Sequence, residues 1–64
     1  MKNDIKAFRK ELNITQEDLA KKTGVSRQTI NAIENNKYSP SLELALKIAR
    51  IFKRPVEAIF QLDD

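Results

Sequence analysis

The sequence has 64 residues, of which 41% are hydrophobic and 33% charged, and its net charge is +3. A chain of this length predicts a single domain over residues 1–64, with a thin core that a second subunit or unusually regular helices would help to stabilise. Cys and His are absent, which excludes disulfides and thiolate metal sites, removes the commonest metal ligand and acid–base group, and makes a reducing interior the default.

The apolar stretches and the charge distribution indicate in which compartment the protein is expected and which classes of partner it could bind. No uninterrupted apolar stretch is longer than three residues, as in residues 44–46, far short of the roughly 20 residues that span a bilayer, and the N-terminus lacks the apolar core of a signal peptide. We therefore expect a cytoplasmic protein with no membrane partner. Residues 1–32 hold seven cationic and four acidic side chains, whereas residues 33–64 hold five of each. This basic excess is compatible with a polyanionic partner but does not decide the matter alone.

The first predicted helix is defined by the spacing of its apolar residues. Ile5, Phe8 and Leu12 recur at helical intervals, which predicts an amphipathic helix over about residues 4–12. Asn13 follows at the position where the chain should turn into the left-handed conformation, which Asn tolerates better than most residues.

The second helix is defined by its capping residues. Thr15 is the predicted N-cap, and Asp18 occupies the acidic position of a capping box. Ile14 and Leu19 flank the cap as a hydrophobic staple, and Gly24 should end the helix as its C′ residue.

The third helix begins only a few residues after the second ends. Val25 and Ile30 form a second staple around the N-cap Ser26, and the helix should end near residues 35–36. So short a junction forces a sharp crossing angle between the two helices, which is the geometry of a helix-turn-helix.

Two further helices complete the expected fold. Ser41, after Pro40, caps the fourth helix, whose predicted buried stripe consists of Leu42, Ala45, Ile48, Ala49 and Phe52. Pro55 fits the first turn of a short fifth helix with an inward side formed by Val56, Ile59 and Phe60. The predicted fold is a compact all-α five-helix bundle, which residues 60–62 could extend with a short C-terminal β-strand. Asp63 and Asp64 are expected to fray.

The outer face of the third helix is unusually rich in amides. On a helical wheel, Ile30 and Ile33 define the core side. The opposite side carries no large apolar group and no negative charge; it consists of Gln28, Asn31, Ala32 and Asn35, with Arg27 at its edge. Gln and Asn pair bidentately with adenine and Arg with guanine, and Ala leaves room for a thymine methyl group. A merely solvated face has the same composition, but the helix-turn-helix arrangement favours base reading in the DNA major groove.

These residues also carry a family resemblance. The stretch "LNITQEDLAKKTGVSRQTINAIENNKYSPSLELALKIARIF" resembles the lambdoid-repressor and Cro type of helix-turn-helix domain, the XRE family, and in particular its short stand-alone bacterial and archaeal regulators. The resemblance covers about residues 5–60, and the block T-Q-E-x-L-A…G-V-S-R-Q-T-I…I-E-N-x-K is highly specific.

The resemblance implies roles for individual residues. The residues that would face the bases are Arg27, Gln28, Asn31 and Ala32. Gln16 would touch a phosphate and brace Gln28, and Ser26 would lie close to the DNA backbone. The role of Thr29 is ambiguous: the helical wheel places it towards the flank of the outer face, where it would meet a phosphate. The loop after the third helix would hold the backbone through Asn35, Lys37 and Tyr38. Arg9 and Glu34 match a structural ion pair between the first and third helices.

The sequence departs from the family at three positions. Asn13, Asn36 and Lys53 stand where the family often has Gly. Asn is a reasonable substitute for Gly in the left-handed conformation. Lys is less suited to it, so Lys53 does not by itself predict where the fourth helix ends. The basic residues Lys47, Arg50, Lys53 and Arg54 either contact phosphates or belong to a solvated helix C-terminus, where the helix dipole favours cations.

The predicted function is a sequence-specific regulator of transcription that binds double-stranded DNA, with repression as the default. It would act as a homodimer on a palindromic operator, with a dimer contact formed by the fifth helix and the tail through Ile51, Phe60 and Leu62. The alternative is a protein-interaction module on the same fold, such as an antitoxin or a coactivator-type adaptor. Enzymatic activity is not expected, because the sequence has no catalytic constellation, phosphate-binding glycine loop or metal-ligand cluster. No cofactor, metal or small-molecule ligand is expected.

Overall fold

The computed structural model describes residues 1–63, and the expectation for Asp64 lies outside them. Its helices, in chain order, are α1 (Ile5–Leu12), α2 (Gln16–Thr23), α3 (Arg27–Glu34), α4 (Leu42–Phe52) and α5 (Val56–Ile59). Two short strands, β1 (Lys2–Asn3) and β2 (Phe60–Gln61), pair antiparallel. The predicted five-helix bundle is confirmed, and the C-terminal β extension is present. The pairing of that extension with the N-terminus was not predicted.

Hydroxyl and carboxylate caps define where the helices begin. The Thr15 hydroxyl accepts a hydrogen bond from the Asp18 amide at 3.0 Å, and the Asp18 carboxylate accepts one from the Thr15 amide at 2.9 Å. The predicted capping box of α2 is therefore confirmed. Ser26 and Ser41 cap α3 and α4 in the same way, each accepting from the amide three residues on. These bonds satisfy N–H groups that have no partner within the helix.

Left-handed residues follow α1 to α4, whereas α5 ends at the extended Phe60. Asn13, Gly24 and Asn36 have φ angles of 60°, 77° and 60°, as the sequence predicts for helix exits. Lys53 also adopts the left-handed region, with φ of 57°, and α4 ends there without a glycine. This conformation costs a residue with a Cβ atom about 1–2 kcal/mol.

The core receives side chains from every helix. The fully buried side chains with the largest volumes are Ile5, Leu19, Ile30, Ile33, Ile48 and Ile59. Phe8 packs against Phe52 with ring centroids 5.6 Å apart. Because Ile30 and Ile33 are the buried residues of α3, they determine which side of that helix faces outward.

Some predictions for α4 and the tail were wrong in detail. Leu42, assigned to the buried stripe, is 74% exposed, whereas Leu44 is only 7% exposed. On a helical wheel, Leu42 lies about 90° from the centre of the buried face, and so falls at its edge. Pro55 is the N-cap of α5 and does not lie in its first turn. Asp63 is not frayed, since its carboxylate accepts a hydrogen bond from the Met1 amine at 2.9 Å.

Of the helices in residues 1–63, none combines the length and the apolar character that a transmembrane segment needs.

Candidate nucleic-acid interface

The outer face of α3 is accessible from outside the molecule. Gln28, Asn31 and Asn35 are exposed, and so is Arg27 at the start of the helix, while Ala32 is partly buried between them. This is the side opposite Ile30 and Ile33, which are 0% and 1% exposed. The helix is thus rotated as its hydrophobic periodicity predicts, and its amides are available to an external partner.

The start of α3 is held by its capping residue. The Ser26 hydroxyl accepts from the Thr29 amide at 3.1 Å and lies 2.9 Å from the Thr29 hydroxyl. Ser26 is exposed and Thr29 partly buried. Both hydroxyls therefore lie at the N-terminal end of the helix, where the helix dipole favours a negative group.

A buried ion pair joins α1 to α3. The Arg9 guanidinium donates to both carboxylate oxygens of Glu34, with Nε to Oε2 at 2.6 Å and Nη2 to Oε1 at 3.1 Å. Arg9 Nη1 also donates to the Ile14 carbonyl at 3.0 Å. The side chains of Arg9 and Glu34 are only 12% and 5% exposed. The two residues for which the resemblance implies a structural pair thus hold α1, the turn before α2, and the end of α3 together.

Gln16, the first residue of α2, links this ion pair to the outer face. Its Nε2 donates to Glu34 Oε1 at 3.1 Å, and its Oε1 accepts from Asn31 Nδ2 at 3.5 Å. The resemblance led us to expect a brace between Gln16 and Gln28, but the hydrogen bonds of Gln16 run to Glu34 and Asn31. A carboxylate is a stronger acceptor than an amide oxygen, which favours the contact with Glu34.

The chain of amides continues along α3. Asn35 Nδ2 donates to the Asn31 carbonyl at 2.9 Å and to Asn31 Oδ1 at 3.2 Å. Five polar side chains are therefore connected from the interior to the outer face: Arg9, Glu34, Gln16, Asn31 and Asn35.

The loop after α3 carries the remaining predicted contact residues. Lys37 and Tyr38 are exposed, and Tyr38 retains 54% of its surface. The Lys37 amide donates to the Ala32 carbonyl at 2.9 Å, which holds the loop against the end of α3. The basic side chain and the phenol therefore stand next to the amide face, although no side-chain hydrogen bond fixes either of them among residues 1–63.

An N-terminal residue that sequence reasoning missed also supports this region. Asn3 Nδ2 donates to the Ile33 carbonyl at 2.8 Å and to Asn36 Oδ1 at 3.1 Å. β1 thus secures the C-terminal end of α3. The sequence carried no local signal for this, because Asn3 acts across about 30 residues of chain and only the strand pairing brings it there.

Two adjoining surface depressions lie beside the amide face. Gln16, Arg27, Gln28 and Asn31 line one of about 250 Å³, so the start of α2 and the outer side of α3 form one continuous surface. A wider depression of about 700 Å³ is lined partly by the cations Arg9, Lys10 and Arg27 and by one carboxylate, Glu17, so its charge is positive on balance. The arrangement combines neutral donors and acceptors with positive charge at the edge, which suits base edges flanked by phosphates.

The residues assigned to a dimer contact differ in accessibility. Phe60 is only 7% exposed and belongs to the chain's own core. Its assignment to a dimer surface is therefore corrected, because a buried ring offers little area to a second chain. Ile51 is partly buried and Leu62 is 75% exposed.

The sequence is similar to proteins that are named as transcriptional regulators or repressors, over 86–100% of its length. The model of a helix-turn-helix family matches residues 5–59. An uncharacterized HTH-type transcriptional regulator of Methanocaldococcus jannaschii is 61% identical over 64 residues, which cover 100% of this chain and 97% of the relative. One of Bacillus subtilis is 45% identical, again with 100% and 97% coverage. The immunity repressor protein of Bacillus phage phi105 is 42% identical over 55 residues, 86% of this chain and 38% of the repressor.

Proposed function

Because the chain belongs to the XRE family of helix-turn-helix transcriptional regulators, we propose that it is a DNA-binding regulator, not an enzyme, and that it reads specific sequences of double-stranded DNA. Residues 1–64 would act as one DNA-binding domain. Repression is the default mode, by occupation of an operator, and the similarity to a phage immunity repressor supports it.

One observation carries this proposal: the amide side chains of α3 face outward on a helix whose opposite side is buried. An α-helix fits the major groove, where every base pair presents a distinct pattern of donors and acceptors. Gln28 and Asn31 each offer both kinds of group without a charge that phosphates would repel. We assign base reading to these two residues together with Arg27 and Ala32.

The DNA backbone contacts follow from the residues that surround this face. Lys37 and Tyr38 lie in the loop after α3, and Ser26 and Thr29 lie at its N-terminal end. We assign phosphate contacts to these four residues and also to Gln16 and Asn35. Such contacts position a protein on the duplex but do not read its sequence.

A homodimer on a palindromic operator completes the proposal. A single helix-turn-helix reads few base pairs, whereas a two-fold dimer presents two recognition helices to half-sites about 34–36 Å apart. Ile51 and Leu62 retain apolar surface near α5 and the tail for such a contact. Sedimentation at high micromolar concentration should show a dimer, and Leu62→Asp should shift it towards monomer. A strict monomer with and without operator DNA would remove this part of the proposal.

Selection of bound fragments from random duplex DNA tests the central proposal. The wild-type protein should enrich one sequence with two-fold symmetry, and its affinity should fall steeply with salt. Gln28→Ala should then weaken binding to the selected site by about 1–3 kcal/mol and relax one base position.

Lys37→Ala is the matched variant for the residues assigned to contacts with the DNA backbone. It should weaken binding to selected and random DNA alike, since a phosphate contact carries no sequence information. If Gln28→Ala also weakens both kinds of DNA equally, the base-reading role of Gln28 is wrong. If the wild-type protein enriches no sequence, specific DNA binding itself is wrong.

A second candidate function is favoured by one feature of α4. Leu42 and Leu46, one helical turn apart, are 74% and 52% exposed, and exposed apolar neighbours are typical of protein-interaction sites. The rival function is a protein-interaction module such as an antitoxin or adaptor. In that case Leu42→Ser/Leu46→Ser should abolish the biological effect in cells while it leaves the binding of purified protein to DNA unchanged.

A further inference from the structure

The Glu34 carboxylate determines which way the Gln16 amide points. Arg9 holds both carboxylate oxygens at 2.6 and 3.1 Å, and the Glu34 side chain is only 5% exposed, so the carboxylate is held in one orientation. Oxygen Oε1 also accepts from Gln16 Nε2 at 3.1 Å. An ionised carboxylate can only accept hydrogen bonds. Gln16 must therefore turn its NH2 group inward and its carbonyl oxygen outward.

The same alternation continues into the outer face of α3. The outward Oε1 of Gln16 is an acceptor, and Asn31 presents its Nδ2 to it at 3.5 Å. Asn31 Oδ1 is then left to accept from Asn35 Nδ2 at 3.2 Å. Donors and acceptors alternate at every step from Glu34 to Asn35, so the negative charge of Glu34 sets the direction at one end of the chain. At the other end, the Asn31 backbone carbonyl accepts from Asn35 Nδ2 at 2.9 Å and holds the same direction.

This arrangement leaves Asn31 with one free donor and one free acceptor. Its NH2 group has two hydrogens and its oxygen two lone pairs, and the protein uses one of each. The remaining pair matches the N7 and N6 edge of adenine. An amide that turns freely can present donor and acceptor in either order, so it discriminates less well between an A·T and a T·A base pair.

We propose that Gln16 is a positioning residue for sequence specificity, which transmits the orientation set by Glu34 to the base-reading side chain of Asn31. The inference rests on the proposed function and deepens it, because it assigns discrimination between bases to a residue that touches no base. The phosphate contact assigned to Gln16 would by itself change affinity for all DNA alike, so only a change of discrimination at one base position reports the positioning role.

The variant that tests the proposal is Gln16→Met, which keeps the length of the side chain but removes both hydrogen bonds. Lys21→Met is the matched control, since Lys21 is exposed on the same helix and outside the chain of amides. Affinities are measured for the selected operator and for operators changed at each base position. Gln16→Met should lower discrimination about threefold to tenfold at the position that Asn31→Ala relaxes, and at no other position.

The double variant Gln16→Met/Asn31→Ala should discriminate no worse than Asn31→Ala alone, because both changes remove the same reading contact. If Gln16→Met weakens every operator by the same factor, the phosphate contact is the only role of Gln16 and the positioning proposal is wrong. If the wild-type protein selects no sequence, the proposed function fails and this inference fails with it.

A measurement without DNA tests separately whether Gln16 orients the side-chain amide of Asn31. In nuclear magnetic resonance spectra, the side-chain amide resonances of Asn31 and Asn35 should shift in Gln16→Met and stay unchanged in Lys21→Met. Unchanged amide resonances in a folded Gln16→Met protein would show that the chain of hydrogen bonds does not orient Asn31, and would overturn the inference even if the protein binds DNA specifically.

Discussion

Replacement of Arg9 by Met should destabilise the protein strongly. The substitution removes both donors to the Glu34 carboxylate, which is 5% exposed and would keep only Gln16 as a partner. An uncompensated buried charge of this kind costs about 3–5 kcal/mol. A chain of 64 residues has a total stability of roughly 3–10 kcal/mol, so Arg9→Met should bring the protein close to unfolding.

The double variant Arg9→Met/Glu34→Met should recover most of that loss. Replacing both members of a buried ion pair with apolar side chains of similar volume is often close to neutral, because the desolvation penalty disappears together with the attraction. The Ile14 carbonyl loses the donor from Arg9, and an unpaired buried acceptor costs about 1–3 kcal/mol. The double variant should therefore lie about 1–3 kcal/mol below the wild type.

Urea unfolding followed by circular dichroism measures the free energies of unfolding of Arg9→Met, Glu34→Met and the double variant. Lys47→Met is the control, because the pair of Lys47 with Glu43 is 50% and 80% exposed and should contribute less than about 1 kcal/mol. The reasoning is refuted if Arg9→Met costs no more than this control. It is also refuted if the double variant loses the sum of the two single losses, since the two residues would then act independently.

Three smaller predictions concern the helix ends. Hydrogen bonds from the Thr15 backbone and side chain lower the pKa of Asp18 below 3.8, so its contribution to stability is present above that pH and is lost as the pH falls through the lowered pKa. The difference in thermal stability between wild type and Asp18→Asn should therefore shrink in acid; a difference independent of pH would contradict this. Lys53→Gly should raise the free energy of unfolding by about 0.5–1 kcal/mol by removing a strained left-handed residue, whereas Arg50→Gly, within α4, should lower it by about 1 kcal/mol. Gly24→Ala should cost about 1–2 kcal/mol through φ alone, because an added Cβ meets no atom within 4 Å; a larger loss in urea unfolding would indicate a steric clash instead.

The capping predictions agree with the structure because capping is local. The Thr15 hydroxyl reaches the Asp18 amide within one helical turn, and Ser26 and Ser41 do the same. Such geometry depends on residues three positions apart, so the sequence contains everything needed to predict it. The accessible amide face of α3 was predictable for a similar reason, because a period of 3.6 residues separates Gln28 and Asn31 from the buried Ile30 and Ile33.

The sequence by itself determined the starts of α2, α3 and α4, the left-handed exits at Asn13 and Gly24, and the composition of the face that α3 presents. Only the tertiary structure decided that Gln16 bonds to Glu34 and Asn31 and makes no brace to Gln28, that Asn3 secures the end of α3, and that Leu42 is exposed. Each of these outcomes depends on distances between elements that are far apart in the chain, where a change of a few ångströms exchanges one hydrogen-bond partner or one buried side chain for another. Local periodicity sets the direction of a side chain, whereas its partner is chosen by whatever the fold brings within reach.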